Sequence, residues 1–247
     1  MFSFFGGKKL SKQEVIDRLV VDLHSHIIPG IDDGAETLEQ SIELIKELKN
    51  IGYKKLIMTP HIMVDAYPNR EDDIALRLEV LKDEVAKRGI EIELEASAEY
   101  YLDEGFLEHL DVPPRLIGGK YLLFETSYMA KPLNLKELIF EITSRGFYPI
   151  FAHPERYRYI HDFKNDYQEI KDLGVFFQLD INSIGGFYGK DAQKKANFLI
   201  ENGMVDFVGS DTHNMKHIAN LQATLEGEGK SWFKLFENNE ILNQSLL

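Results

Sequence analysis

Two histidines one residue apart are the first residues of this chain whose types and spacing suggest chemistry. His24 and His26 end an apolar run in the segment VDLHSHIIPGIDDG, and Asp32 and Asp33 follow in a loop. In a β-strand, residues i and i+2 point to the same face, so the two imidazoles project side by side. They are either metal ligands or two buried histidines beside a polar turn.

Seven apolar runs, each followed by a loop and a helical pattern, indicate the elements that position these residues. The runs cover residues 18–26, 54–61, 90–99, 121–127, 148–156, 175–183 and 205–214. Most are almost continuously hydrophobic, which is typical of parallel strands covered on both faces. The pattern predicts an α/β fold, either a distorted (β/α)7 barrel or an open doubly wound sheet. We favour the barrel, because polar residues follow nearly every run and the active sites of barrels lie at the C-terminal ends of the strands.

Capping residues predict where some of the helices begin. Thr37 with Gln40 forms a capping-box pattern before an apolar helical face. Asn69 is the expected cap of the following helix.

The composition limits the classes of function. The chain has 247 residues and no cysteine, so disulfides and thiol nucleophiles are excluded, and His, Asp and Glu remain as metal ligands. A net charge of −13 argues against a nucleic-acid-binding surface. We find no membrane span and no signal peptide, and we expect a cytoplasmic protein. We expect a single domain over residues 1–247, with an N-terminal tail over 1–15 and a closing C-terminal helix over 230–247.

Five of the eight histidines fall at predicted strand ends, together with several carboxylates. In chain order these strand-end residues are His24, His26, Asp32, Asp33, His61, Glu99, Glu125, His153, Arg156, Asp180, Asn182, Asp211 and His213. Carboxylates that share a cavity repel one another, and divalent cations remove that repulsion. The set of nitrogen and oxygen ligands suits Mn, Fe or Zn, and it exceeds what one ion needs. We therefore predict a centre of two or three bridged ions that activates a water molecule.

The order of these motifs resembles the PHP (polymerase and histidinol phosphatase) family. HSH with DDG, then TPH, a Glu after the third strand, AHPER and SDTH occur in turn between residues 21 and 214. The similarity is greatest to the bacterial manganese-dependent protein tyrosine phosphatases of capsule and exopolysaccharide operons. This resemblance implies a distorted seven-stranded barrel holding three metal ions, with Mn expected and Fe, Zn or Mg as alternative occupants.

The resemblance also implies a role for each motif residue. The first ion would be bound by His24, His26, Glu99 and Asp211, the second by Glu99, Glu125 and His153, and the third by Asp33, His61 and His213. Asp33 rather than Asp32 follows from the register of the family motif. Arg156 of the HPER motif would bind the phosphate. Such phosphatases usually carry another Arg after the DxHN segment; here Lys216 takes that role, or the second contact is absent.

The implied activity is hydrolysis of a phosphomonoester by a metal-activated hydroxide. The expected partner is a phosphotyrosine protein, namely a bacterial tyrosine kinase that controls polysaccharide synthesis. The tyrosines near the strand ends either stack on the substrate ring or pack around the rim. They are Tyr100, Tyr101, Tyr128, Tyr157 and Tyr159.

Three other functions stay open at this point. The first is a phosphatase for a small molecule such as histidinol phosphate. The second is an amidohydrolase-type enzyme, against which Glu125 stands where a carbamate-forming lysine would be needed. The third is a non-catalytic regulatory partner of a tyrosine kinase with a structural metal site. A homo-oligomeric state is compatible with each of these functions.

Overall fold

The computed structural model describes residues 8–247 and confirms the predicted α/β class. The strands are β1 Val21–Asp22, β2 Lys55–Met58, β3 His61–Ile62, β4 Glu93–Ala96, β5 Glu99–Tyr101, β6 Tyr121–Glu125, β7 Tyr148–Ala152, β8 Phe176–Asp180 and β9 Phe207–Gly209. All the paired strands are parallel, as the continuous apolar runs predict. The first seven residues of the predicted N-terminal tail lie outside the described residues.

Helices follow most of the strands. They are α1 Lys12–Ile16, α2 Leu38–Ile51, α3 Glu71–Lys87, α4 Phe106–Asp111, α5 Leu135–Ser144, α6 Phe163–Lys171, α7 Ile181–Ile184, α8 Lys190–Glu201, α9 Met215–Gly227 and α10 Gly229–Asn238, with 3-10 turns at Pro154–Arg156 and Asn243–Leu246. α1 therefore begins inside the expected tail, where Ser11 and Glu14 form a capping box. The C-terminal helix ends at Asn238 rather than running to residue 247. Over residues 8–247, no helix combines the length and the apolar character needed to cross a membrane.

One predicted helix cap is confirmed and another is wrong. Thr37 caps α2, since its Oγ1 accepts a hydrogen bond from the backbone N–H of Gln40 at 3.3 Å. Asn69 does not cap α3. The N-cap position of α3 is Arg70, and no side chain forms a capping hydrogen bond there. Instead, Asn69 Nδ2 donates to the carbonyl oxygens of Ile31 and His61 at 2.9 and 2.8 Å. Asn69 therefore joins the loop that contains Ile31 to the first residue of β3.

The strands form two sheets that continue into each other. One sheet has the order β1-β2-β4 and the other the order β3-β5-β6-β7-β8-β9. β2 and β3 arise from one predicted run, which Pro60 interrupts because proline has no N–H for the strand ladder. Across this break, the backbone N–H groups of Ser97 and Glu99 donate to the carbonyl oxygens of Met58 and Pro60 at 2.8 and 3.1 Å.

The first strand segment also meets the last one, which completes the ring. The backbone N–H of Asp211 donates to the carbonyl of His24 at 2.8 Å, and that of His26 donates to the carbonyl of Thr212 at 2.9 Å. Seven strand segments thus surround one interior, as in a distorted (β/α)7 barrel. The open doubly wound sheet, the other arrangement that the sequence allowed, is not formed.

Side chains complete the junction between β1 and β9 below these backbone bonds. The buried Asn243 donates to the carbonyl oxygens of Val21 and Val208 at 2.9 and 2.7 Å, and it accepts from the N–H of Val208 at 3.0 Å. The Asp22 carboxylate accepts from the N–H and the hydroxyl of Ser210 at 2.9 and 2.6 Å. These two side chains replace a missing stretch of the strand ladder.

The lower interior of the ring is an apolar core. Its buried residues include Val21, Leu23, Ile57, Tyr121, Leu123, Ile150, Phe207 and Leu246. The ring of Tyr121 meets the rings of Phe176 and Phe207 edge to face, with centroids 5.4 and 5.1 Å apart. Since this end is filled, the polar residues of the strands are gathered at the opposite, C-terminal end.

Candidate metal centre

The structure brings together all nine residues that the family resemblance implies as metal ligands. Their donor atoms form overlapping groups whose members lie within 4.8 Å of one another. The groups are His26, Asp33, His61 and His213; His24, His153 and Asp211; His24, His26 and Glu99; and His61, Glu99 and Glu125. The resemblance implied that His153 shares an ion with Glu99 and Glu125. The structure instead groups His153 with His24 and Asp211, and it places His61 with Glu99 and Glu125.

Hydrogen bonds to the Nδ1 atoms of His24 and His26, on the side of each ring away from the cluster, orient these two imidazoles. His24 Nδ1 lies 2.7 Å from Gln178 Oε1, and His26 Nδ1 lies 2.7 Å from Asp32 Oδ2. Because these oxygens accept hydrogen bonds, each Nδ1 carries the proton and each Nε2 presents a lone pair to the interior. The two Nε2 atoms face each other at 3.2 Å. Such a pair fits a shared divalent cation.

Carboxylates surround the same nitrogen atoms. His24 Nε2 lies 3.2 Å from both Glu99 Oε2 and Asp211 Oδ1. Burial opposes charge on His24, but Glu99 and Asp211 outweigh burial and raise the pKa of His24 to about 9. The carboxylates therefore require positive charge at this point, which a proton or a metal ion can supply.

Several buried polar atoms of the cluster have no hydrogen-bond partner among residues 8–247. They include Nδ1 of His61, Nδ1 of His153 and Oδ1 of Asp211. Buried polar atoms are nearly always satisfied in folded proteins, so each of these atoms calls for an explanation. Burial, with the nearby Arg156, lowers the pKa of His153 to about 4, which keeps this imidazole neutral, as a metal ligand must be. The residues present fit a divalent metal centre.

Two of the candidate ligands have a backbone conformation that non-glycine residues rarely adopt. Within residues 8–247, His153 and Asp211 are the non-glycine residues with positive φ, at 36° and 46°. Such conformations cost about 1 to 3 kcal/mol each and are concentrated at functional sites. His153 follows β7 and Asp211 follows β9, so in both cases the strained residue turns the chain away from a strand end.

The DDG loop gives its two aspartates different positions. Asp32 is bonded to His26 and accepts from the backbone N–H of Gly34 at 3.0 Å. Asp33 lies on the open side, with Oδ1 at 3.5 Å from His61 Nε2 and 3.4 Å from His213 Nε2. A Cβ atom on Gly34 would lie 1.9 Å from the His26 carbonyl oxygen, so this tight loop requires glycine.

The cluster opens into a cavity of about 420 Å³. Besides candidate ligands, its walls are formed by Met63, Tyr67, Tyr101, Ser127, Tyr128, Met129 and Arg156. Of the tyrosines that the sequence placed near the strand ends, Tyr101 and Tyr128 line this cavity. The other three do not: Tyr100 and Tyr157 are fully buried, and the hydroxyl of Tyr159 is bonded to Thr126 at 2.8 Å.

Sequence reasoning missed one aromatic wall of the cavity. The ring of Tyr67 stacks on that of His61, with centroids 5.5 Å apart and the planes 15° apart. Tyr67 lies in the loop after β3, and an antiparallel bridge between Met63 and Tyr67 holds it there. The only signal in the sequence is its spacing after the TPH motif.

Arg156 brings positive charge to the cavity beside the cluster. Its Nη1 donates to Oδ2 of Asp211 and lies 3.6 Å from Oδ2 of Asp180. Its guanidinium carbon lies 5.0 Å from the ring centroid of Tyr128 and 4.1 Å from that of Tyr188. An anion in the cavity would meet this guanidinium and the metal ligands together.

Lys216 takes a different position from Arg156. It is exposed near the start of α9, and its Nζ lies 5.3 Å from the ring centroid of Phe187. It is not among the residues that line the cavity. Its neighbour His217 lies closer to the cluster, with ring centroids 5.2 Å apart between His217 and His213.

Proteins of known sequence are similar to this chain over most of its length. The tyrosine-protein phosphatase CpsB of Streptococcus agalactiae serotype V is 30% identical over 203 residues, which cover 79% of this chain and 84% of the relative. The tyrosine-protein phosphatase YwqE of Bacillus subtilis is 30% identical over 243 residues, which cover 92% of this chain and 93% of the relative.

Solved structures share the fold. The crystal structures of YwqE from Bacillus subtilis and CpsB from Streptococcus pneumoniae, described as unique metal-dependent tyrosine phosphatases, include a chain that matches with a TM-score of 0.78 and 27% identity, covering 92% of this chain and 94% of that one. A histidinol phosphate phosphatase from Lactococcus lactis, with a TM-score of 0.51 and 10% identity over 85% of this chain and 93% of its own, is similar in fold alone.

A family assignment follows from a match over most of the chain. Residues 20–226 match the family described as "Capsular polysaccharide synthesis, CpsB/CapC". This stretch contains every candidate ligand and Arg156. The chain therefore belongs to the CpsB/CapC family of capsular polysaccharide synthesis proteins.

Proposed function

We propose that this protein is a metal-dependent protein tyrosine phosphatase. The observation that carries the proposal is the cluster of nine ligand-type residues, six of which line one cavity together with Arg156. The names of the relatives from Streptococcus agalactiae and Bacillus subtilis support the same activity. The reaction is hydrolysis of a phosphomonoester, in which water replaces the phenol oxygen on phosphorus.

The ligands that we assign are His24, His26, Asp33, His61, Glu99, Glu125, His153, Asp211 and His213. We propose a centre of three ions and manganese as the metal, with Fe, Zn and Mg as alternatives, because all donors are nitrogen or oxygen. When bound, divalent cations polarise phosphoryl oxygens and lower the pKa of water. Gln178 and Asp32 orient the imidazoles of His24 and His26 through the bonds described above.

The remaining residues bind and orient the substrate. The guanidinium of Arg156 donates hydrogen bonds to phosphoryl oxygens and stabilises the negative charge that they carry in the transition state. The rings of Tyr67, Tyr101 and Tyr128 line the cavity and present surfaces suited to the phenyl ring of phosphotyrosine. We keep Lys216 as a proposed second phosphate contact; reaching the cavity requires its side chain to leave the ring of Phe187.

The proposed substrate is the phosphotyrosine of a bacterial tyrosine kinase that controls synthesis of capsular or exopolysaccharide. The family description, capsular polysaccharide synthesis, and the phosphatase names of the relatives support this choice. We further propose that the protein acts in the cytoplasm, where such a kinase would present its phosphorylated residues.

The test compares three substrates under two metal conditions. Phosphate release is measured from a phosphotyrosine peptide, a phosphoserine peptide and histidinol phosphate, with Mn²⁺ added and after chelation. His24→Ala is the matched variant that removes one ligand. We expect release from phosphotyrosine with Mn²⁺, loss of this activity after chelation, and loss in His24→Ala.

Two other results would replace the proposal. Activity confined to histidinol phosphate would keep the metal centre and assign a small-molecule substrate. Binding of Mn²⁺, measured by calorimetry, without activity on any of the three compounds would favour the regulatory, non-catalytic function.

A further inference from the structure

Arg156 is held by groups on several sides, although arginine side chains are usually mobile. Its side chain is 17% exposed, and its Nη1 is engaged by Asp211 and approached by Asp180. Two tyrosine rings lie next to the guanidinium, and that of Tyr188 is the nearer at 4.1 Å. Tyr128 lines the cavity, but Tyr188 and Asp180 do not. These last two residues therefore lie against Arg156 outside the cavity wall.

The segment that carries Tyr188 is fixed by close packing. It has the sequence GGFYG and connects α7 to α8. A Cβ atom on Gly185 would lie 2.1 Å from Oγ1 of Thr224 in α9, so only glycine allows this contact. The backbone N–H of Phe187 donates to the carbonyl of Asn182 at 3.0 Å. Because this backbone is held at both points, the ring of Tyr188 has a defined position.

Asp180 reaches Arg156 from the end of β8. It is fully buried, and its Oδ1 accepts from the backbone N–H of Asn182 at 2.7 Å. Its Oδ2 has no hydrogen-bond partner among the described residues and lies 3.6 Å from Nη1 of Arg156. This oxygen of Asp180 therefore faces the guanidinium of Arg156 and makes no hydrogen bond with another described residue.

We propose that Tyr188 and Asp180 are positioning residues that hold the guanidinium of Arg156 ready for the phosphoryl group. This inference rests on the proposed function, in which Arg156 binds that group. A cation stacked on a desolvated aromatic ring is attracted to it, and the Asp180 carboxylate attracts Nη1 of Arg156 across 3.6 Å. The remaining N–H groups are then oriented before the anion arrives, so little side-chain freedom is lost on binding.

The test measures binding of inorganic phosphate to the Mn²⁺-loaded protein by calorimetry, together with kcat and KM for a phosphotyrosine peptide. The variants are Tyr188→Leu, which removes the ring, and Tyr188→Phe, which keeps it. Tyr148→Leu is the matched control, since Tyr148 is half exposed at the start of β7, far along the strand from Ala152 and the cluster. We expect Tyr188→Leu to weaken phosphate binding about 10-fold and to raise KM similarly, with Tyr188→Phe and Tyr148→Leu within about 2-fold of wild type.

A double-mutant cycle distinguishes positioning from a general structural role. In an Arg156→Ala background, Tyr188→Leu should have no further effect on phosphate binding, because the group on which it acts is gone. Asp180→Asn keeps the size of the side chain, and it too should have no further effect on phosphate binding in the Arg156→Ala background. This variant replaces Tyr188→Leu in the test if Tyr188→Leu fails to fold. Affinity for Mn²⁺ should stay unchanged in all of these variants except those lacking Arg156.

Three results would overturn the inference. They are an equal loss of phosphate binding in the Arg156→Ala background, a parallel loss of Mn²⁺ affinity in Tyr188→Leu or Asp180→Asn, and wild-type phosphate binding in both of these variants. Failure of the proposed function would look different: the wild-type protein would bind Mn²⁺ and phosphate and release no phosphate from the peptide. In that case the calorimetric cycle would still decide whether Tyr188 and Asp180 act through Arg156.

Discussion

The two ends of the strand ring are built in opposite ways. At the lower end, apolar side chains fill the interior, and Asn243 satisfies the backbone groups of the β1–β9 junction. At the upper end, buried imidazoles and carboxylates crowd together, some polar atoms lack partners, and His153 and Asp211 have left-handed backbones. The comparison indicates that the lower end supplies stability, whereas the upper end holds reactive groups in an arrangement that stability alone would not select.

The largest expected effect separates activity from stability at the upper end. Glu125→Gln should lower kcat/KM for a phosphotyrosine peptide by about 1000-fold, because it removes a negatively charged ligand while keeping its shape. Burial, with the nearby Glu99, raises the pKa of Glu125, so the charged form destabilises the fold at neutral pH. In chelator at pH 7.5, the free energy of unfolding in urea should therefore rise. A clear fall in stability would contradict the contrast between the two ends.

The second prediction addresses the lower end. Phe207→Ala should lower the free energy of unfolding by about 3 to 5 kcal/mol, because it leaves a cavity beside Tyr121 and Phe176. Phe140→Ala is the matched control, since Phe140 is 66% exposed and should change stability by less than about 0.5 kcal/mol. At a temperature where both variants stay folded, kcat with Mn²⁺ should match wild type. A large loss of kcat in the folded Phe207 variant would mean that the two ends are coupled.

A smaller effect is expected at the β1–β9 junction. Asn243→Ala leaves the carbonyl oxygens of Val21 and Val208 and the N–H of Val208 without their partner. Unfolding in urea should show a loss of about 2 to 3 kcal/mol, as for buried polar groups left unsatisfied. Asn134→Ala, at an exposed position before α5 where the side chain makes no capping hydrogen bond, should remain close to wild type. Equal stability of the two variants would show that water replaces the amide of Asn243.

The smallest effect is expected for Lys216, one of the two cations proposed to contact phosphate. Arg156→Ala should lower kcat/KM by about 100-fold, whereas Lys216→Ala should lower it by about 3-fold, since an exposed, screened lysine contributes little. Steady-state kinetics with the phosphotyrosine peptide measures both variants under identical metal conditions. A loss in Lys216→Ala as large as that in Arg156→Ala would mean that Lys216 moves into the cavity when substrate binds.

The sequence was sufficient to predict the convergence of the ligand-type residues. Each of them lies at or just after a buried apolar run, and parallel strands in a ring bring these ends to one mouth. Their types and order carried the family resemblance, and the match over residues 20–226 confirms it. The local pattern therefore contained both the position and the chemistry of the cluster.

Other features depend on contacts between distant parts of the chain, which local patterns do not reveal. Asn69 looked like a helix cap, but its amide donates to the carbonyl oxygens of Ile31, in another loop, and of His61, in β3. Tyr67 and Tyr188 lie in loops whose positions are set by tertiary packing, so no periodicity marks them. Asn243 follows the last helix, and its role depends on β1, more than 200 residues earlier; its hydrogen bond to Val21 spans 222 positions.

That span has a consequence for how the protein is made. A ribosome releases His24 and His26 well before Asp211, His213 and Asn243, which lie more than 180 residues further along the chain. Contacts between such distant positions form slowly, because a long loop must close before they contribute. We expect a nascent chain to lack a complete set of ligand-type residues until His213 has left the exit tunnel. Closure of the strand ring between His24 and Asp211 would then also be the event that assembles the candidate metal centre.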